Sequence, residues 1–134
     1  MILVTGGAGF IGSNFVLDWL ANPKAEGIIN LDKLTYAGNL STLAPLAKDL
    51  RHIFIKGDIG DSALVTNLLQ EHRPRAIINF AAESHVDRSI HESKDFIETN
   101  IVGTYNLLES VRSYWNDLDE ASKKAFRFLH VSTD

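Results

Sequence analysis

Apolar residues follow two rhythms along this chain. Short β-prone runs appear at Met1–Thr5, Gly27–Asp32, Ile53–Lys56, Ala76–Phe80 and Phe128–Ser132, and each reads as a buried strand. Between them, apolar positions recur at helical spacing. Phe10, Ile11, Phe15, Val16, Trp19 and Leu20 form one stripe, with Ser13, Asn14 and Asp18 on the other side, and Asn22-Pro23 ends that helix. A short helix is expected around Leu40–Lys48. Leu64, Val65, Leu68 and Leu69 form a further stripe, which Asp61 is placed to cap. Ile97, Ile101, Thr104, Leu108 and Val111 predict a long helix with that face against the sheet, and Asn100 on its inner side is then a buried polar group needing a partner. The charged stretch 117–124 reads as a surface helix or loop.

Strands alternating with helices predict an α/β fold: a doubly wound parallel sheet, Rossmann-like, with strand order 3-2-1-4-5 and truncated after the fifth strand. Such a sheet places its ligand crevice at the carboxyl ends of the strands, where this sequence stops. The chain is therefore expected to be the amino-terminal part of a longer protein, residues 1–134 supplying part of a dinucleotide-binding domain and the substrate domain lying elsewhere. Ending on the fifth strand exposes an edge and apolar surface that invite association.

With 134 residues, 45% hydrophobic and 22% charged, the composition is that of one ordinary globular domain. No apolar run approaches a membrane span and no secretory leader is visible, so a cytoplasmic location is expected. The absence of cysteine excludes disulfides, thiolate catalysis and cysteine-ligated metals. His52, His72, His85, His91 and His130 show no metal-ligand spacing, and no metal is expected. A net charge of −4 offers nothing to nucleic acid, so an anionic cofactor must be held by local backbone N–H groups and a helix dipole.

Thr5-Gly-Gly-Ala-Gly-Phe-Ile-Gly12 provides those features. It contains Gly7-x-Gly9-x-x-Gly12 and, overlapping it, Gly6-x-x-Gly9-x-x-Gly12. The first glycine permits a tight turn, Gly9 lets a pyrophosphate approach, and Gly12 lets helix and strand lie close. The strand before and the helix after are the context that the motif requires. Asp32, twenty residues beyond Gly12, ends the second strand, where its carboxylate can accept from ribose hydroxyls and repel a 2′-phosphate; this selects NAD over NADP, although Lys33 beside it weakens that preference. Asp58 and Ile59, after the third strand, are candidates for the adenine.

The Thr-Gly-x-x-Gly-x-x-Gly form resembles extended short-chain dehydrogenases that act on nucleotide sugars. Asp32-Lys-Leu-Thr-Tyr-Ala-Gly-Asn39, Asn79-Phe-Ala-Ala-Glu-Ser-His-Val-Asp-Arg-Ser89 and His130-Val-Ser-Thr-Asp134 are similar to segments of the nucleotide-sugar dehydratases in that class, most closely the dTDP-glucose 4,6-dehydratase family. The resemblance implies NAD as cofactor, with Phe10, Ile11 and Gly12 at the pyrophosphate, Asp32, Lys33, Leu34 and Thr35 at the adenosine ribose, and Asp58 and Ile59 at the adenine. It implies that Phe80, Ala81, Ala82, Glu83, Ser84 and Thr99 line the nicotinamide side, and that Ser84, Arg88 and Thr133 meet the sugar nucleotide. Thr133 and Asp134 match the start of a catalytic Thr-Asp-Glu triplet. The implied reaction is dehydration of dTDP-glucose to dTDP-4-keto-6-deoxyglucose in deoxysugar (rhamnose) biosynthesis, by a homodimer in the full-length protein. The triplet's glutamate and the family's Tyr-x-x-x-Lys pair lie beyond residue 134, so the 134 residues alone are expected to be inactive. A UDP-sugar 4-epimerase and a non-catalytic NAD-binding module are the alternative readings.

Overall fold

The computed structural model describes residues 1–35, 38–84 and 93–132, apart from the side chain of Ser93. Five parallel strands form one sheet in the order β3-β2-β1-β4-β5, as the alternation of elements predicted. They are β1 (Ile2–Thr5), β2 (Ile28–Asp32), β3 (His52–Lys56), β4 (Ala76–Asn79) and β5 (Arg127–His130). The central strands β1 and β2 are buried along their whole length, which continuous apolar runs covered on both faces require.

Side chains alternate across the pleat and feed two cores. Leu3, Ile29, Leu31 and Ile77 point to one face, where α2 (Ser62–His72) lies beside a long helix. Ile2, Val4, Ile28 and Ala76 point to the other, covered by α1 (Phe10–Ala21) and a 3-10 helix at Leu40–Leu46. Asp61 caps α2 by accepting from the Leu64 N–H at 3.0 Å. Arg73, in the left-handed region at φ 45°, closes that helix just before Pro74.

Two helical stripes differ from the sequence reading. In α1 the buried line is Gly12, Ser13, Val16 and Leu20, with Phe15 and Trp19 half-buried beside it. Ser13 thus belongs to the inner face, while Phe10 (86% exposed) and Ile11 (60% exposed) stand in the first turn, clear of both cores.

The long helix is composite. A short α3 (Ser93–Phe96) passes into a π-helical segment, Ile97–Gly103, and then into α4 (Thr104–Asn116), with helical backbone at both junctions. A π turn accommodates an extra residue, and each residue turns an α-helix by about 100°. Of the expected inner face, Val111 is buried and Thr104 half-buried. The buried line is Gly103, Leu107, Ser110, Val111 and Tyr114, whereas Ile97, Ile101 and Leu108 face outward with Val102 and Tyr105. After α4 the charged stretch folds as α5 (Glu120–Ala125), capped by Asp119. Among the described residues no helix is long and apolar enough to cross a membrane.

Candidate functional site

β1 ends in a glycine turn at the carboxyl edge of the sheet. Gly6 takes φ +73°, and its N–H still reaches the Leu31 carbonyl of β2 at 2.9 Å. A Cβ on Gly6 would lie 2.5 Å from the Ala81 nitrogen, so only glycine lets the β1 turn and the residues after β4 approach this closely. On Gly12 a Cβ would strike the Gly6 carbonyl, and on Gly7 the carboxamide of Asn30. Gly9 is different: apart from the Gly6 oxygen at 3.3 Å, its missing Cβ opens onto free space.

Gly9 is also the N-cap of α1 and carries no side chain to satisfy the first helical turn. The first intrahelical bond found there runs from the Ser13 N–H to the Gly9 carbonyl at 2.9 Å. The N–H groups of Phe10, Ile11 and Gly12 therefore have no acceptor within the helix, and the first turn carries no acidic side chain. This is the arrangement that a phosphate completes.

The turn opens into a groove lined by Gly6, Gly9, Asp32, Lys33, Thr35, Asp58, Ile59, Phe80, Ala81, Ala82, Glu83 and Thr99. Leu31, Gly38 and Gly57 line it as well and were not singled out in the sequence. Asp32 is buried and already engaged, its Oδ2 accepting from the Ala8 N–H at 2.8 Å and its Oδ1 from the Leu34 N–H at 2.7 Å. It thereby ties the glycine turn to the chain leaving β2, where Leu34 takes φ 54°. A carboxylate has about four acceptor positions, so two remain for a ligand hydroxyl.

Across the groove floor, Lys33 Nζ pairs with Asp58 Oδ2 at 2.7 Å, and the Gly60 N–H donates to Asp58 Oδ1 at 2.8 Å. Burial pushes the Asp58 carboxyl up, but the Lys33 ammonium and the Gly60 N–H outweigh it and hold Asp58 below the usual carboxylate range. The bond to Asp58 raises the Lys33 ammonium in turn, against its own partial burial. The Lys33 charge is therefore committed to Asp58.

The wall opposite Asp32 is the segment after β4. The Phe80 N–H bonds the Thr5 carbonyl at 2.9 Å, and the Ala81 N–H donates to Asn79 Oδ1 at 3.2 Å. Asn100, in the π-helical segment, clamps the next stretch: its Oδ1 accepts from the Glu83 N–H at 2.8 Å and its Nδ2 donates to the Glu83 carbonyl at 2.9 Å. Asn100 is exposed, not buried as its place in the periodic pattern suggested. The same segment brings Thr99 to the groove.

The remaining candidates are placed otherwise. Gly7 and Gly12 are buried behind the turn, Phe10 and Ile11 are exposed at the helix entrance, Leu34 packs on the core under α1, and Ser84 is exposed. Arg88, Thr133 and Asp134 lie outside the described residues, as do His85 and His91. The Asn100 clamp escaped sequence reading because its partner is the backbone of a residue seventeen positions earlier.

Glycine turn, acidic strand end and groove together define a doubly wound domain of the short-chain dehydrogenase kind. The chain belongs to the GDP-mannose 4,6 dehydratase family, whose match covers residues 3–134. It is 65% identical over 132 residues to the dTDP-glucose 4,6-dehydratase of Xanthomonas campestris pv. campestris strain B100, covering 98% of this chain and 37% of that protein. It is similar to a crystal structure of a double mutant of the dTDP-glucose 4,6-dehydratase DesIV from Streptomyces venezuelae, solved with NAD bound (49% identity, TM-score 0.80, 85% of this chain and 36% of that one). It also resembles the UDP-glucose 4-epimerase of Thermotoga maritima, solved with UDP-glucose (35% identity, TM-score 0.72, 84% of this chain and 34% of that one). The chain thus spans a little over a third of the length of the curated relatives it matches.

Proposed function

We propose that this chain is the amino-terminal part of the NAD-binding domain of a dTDP-glucose 4,6-dehydratase, a hydro-lyase that yields dTDP-4-keto-6-deoxyglucose. The observation that carries the reading is the glycine turn, whose Cβ positions at Gly6 and Gly12 are filled by the protein's own backbone while Gly9 faces open space beneath a helix without a capping side chain. A diphosphate fits that cradle, the ribose falls to the spare acceptor positions of Asp32, and the adenine lies toward Asp58 and Ile59. Asp32 would repel a 2′-phosphate, and Lys33, held by Asp58, does not relieve that repulsion. NAD is therefore favoured over NADP.

Bound there, NAD would supply a reversible hydride sink for C4 of the glucose ring, returning the hydride at C6. Once C4 is a ketone, the C5 proton is acidified. Elimination then breaks the C5–H and C6–O bonds, forms the C5–C6 double bond and releases water, which requires a base at C5 and an acid at the C6 oxygen. Asp134, next to Thr133, is the acid in this reading, while Ser84, Arg88 and Thr133 receive the sugar nucleotide. The base and the Tyr-x-x-x-Lys pair are assigned to the longer protein. Phe80, Ala81 and Thr99 shape the wall beside which the redox ring lies. We place the protein in the cytoplasm as a homodimer. The outward apolar row Ile97, Ile101, Tyr105 and Leu108 supports burial of that helix face in an assembled protein.

The test is to supply the native full-length protein with dTDP-glucose and, separately, with UDP-glucose, following products by nuclear magnetic resonance. A 4-keto-6-deoxy sugar from dTDP-glucose is the expected result. Epimerised UDP-galactose, or NAD binding without turnover of either sugar, overturns the dehydratase reading.

A further inference from the structure

A row of polar side chains crosses the carboxyl ends of three neighbouring strands without lining the groove. Thr5, Asn79 and His130 are register partners on β1, β4 and β5. Pleat alternation puts them on the same face as Leu3, Ile77 and Phe128, two residues earlier on each strand, so the row closes off the apolar core. Thr5 and Asn79 are completely buried. The Thr5 hydroxyl donates to Asn79 Oδ1, the Ala81 N–H donates to the same oxygen at 3.2 Å, and Asn79 Nδ2 lies 2.8 Å from His130 Nδ1.

The direction of this row follows from Ala81. A backbone N–H can only donate, so Asn79 must turn its oxygen toward Ala81 and Thr5, leaving its amide nitrogen for His130. An amide N–H bonds only a bare ring nitrogen. His130 must therefore present an unprotonated Nδ1 and carry its single proton on Nε2.

The row and its partner Ala81 abut different parts of the site. Thr5 precedes the glycine turn, Ala81 fills the space where a Cβ on Gly6 would be, and His130 leads in sequence to Thr133 and Asp134. The backbone bond from the Val131 N–H to the Asn79 carbonyl, at 3.0 Å, joins β5 to β4 at this same level.

We propose that His130, kept by Asn79 as the Nε2–H tautomer, is a positioning residue: it fixes the end of β5 against the Ala81 wall, so that the strand leading to Thr133 and Asp134 holds its height relative to the nicotinamide side. The inference rests on the dehydratase reading for its effect on turnover, but its tautomer arm does not.

The experiment uses the native full-length protein with 15N-labelled histidine. At neutral pH, wild-type His130 shows a proton on Nε2 and a bare Nδ1, and Asn79→Asp, which replaces the amide donor by a carboxylate, moves the proton to Nδ1. In turnover of dTDP-glucose, His130→Ala lowers kcat ~10- to 100-fold, the scale expected of a misplaced catalytic group, with KM and NAD affinity within about twofold. His130→Asn, whose carbonyl oxygen can accept from Asn79, recovers most of the loss. A wild-type Nδ1–H tautomer, or an Ala variant that melts earlier but turns over normally, overturns the proposal. If the tautomers behave as stated but the wild type forms no keto sugar, the dehydratase reading fails, and the link to Asp134 fails with it.

Discussion

Gly9→Ala and Gly12→Ala place the same methyl group in two surroundings and separate cofactor binding from stability. At Gly12 the new carbon would lie 2.9 Å from the Gly7 Cα, besides striking the Gly6 carbonyl. Carbon pairs settle at about 3.5–4.0 Å, so α1 must retreat by roughly 0.6–1.1 Å, the difference between those distances and the one found. Overpacking of this kind costs about 1–3 kcal/mol. The retreat would also carry the first-turn N–H groups away from the proposed diphosphate position, beyond the range in which such hydrogen bonds hold.

Losing one charge-assisted bond costs about 1.5–3 kcal/mol, or ~10- to 150-fold in affinity. Gly9→Ala meets only the Gly6 oxygen at 3.3 Å, and its φ of −74° suits alanine, so stability should barely change. Its methyl group instead occupies the space left for the phosphates. Calorimetric titration of NAD into the native protein, paired with thermal melts, checks both. The expected result is weaker NAD binding in both variants and a lowered Tm only in Gly12→Ala. Affinity within twofold of wild type for Gly9→Ala would refute the placement of the diphosphate.

Leu107→Ala removes a fully buried side chain from the core that joins α4 to the sheet, and should cost about 2–5 kcal/mol in urea unfolding. A loss below ~1 kcal/mol would contradict the inward direction assigned to that side of the helix. The Lys33–Asp58 pair sets a pH window. Asp58 is held low, so its contribution is complete above the ordinary carboxylate pKa of ~3.9 and is lost as pH falls through its depressed folded value. Lys33 is raised, so its contribution is complete below ~10.4 and is lost as pH rises through its raised folded value. In Lys33→Met, burial acts on Asp58 without that ammonium, and the acid limb of the melting profile should begin at higher pH; superimposable acid limbs would sink this account.

Much of the architecture is readable from local pattern. Strand order followed from alternating strands and helices, and the glycine turn from its place between a strand and a helix. What escaped involves either an apolar stripe that faces outward or a partner distant in sequence. Ile97, Ile101 and Leu108 share a regular spacing, yet they stand together on the outer side, while Leu107 and Tyr114 join Val111, which the pattern did place, on the inner one. Phe10 and Ile11 fit the stripe of α1 but fall in its first turn, outside both cores. Asp32 was legible as an acid at a strand end, but not as a brace for the glycine turn through the Ala8 N–H, because that bond depends on the folded path of the loop. Asn79 and His130 are fifty-one residues apart and meet only through strand register.

One continuous rod carries two duties through the wide turn at Ile97–Gly103. Its front end points Thr99 into the groove and lets Asn100 hold Glu83, while its rear end seats Leu107, Val111 and Tyr114 in the interior. In an unbroken α-helix these duties would be geared together, and removing a single residue from the turn would swing one end by about 100° against the other. The residue count of this turn therefore sets the angle at which the groove wall stands to the core.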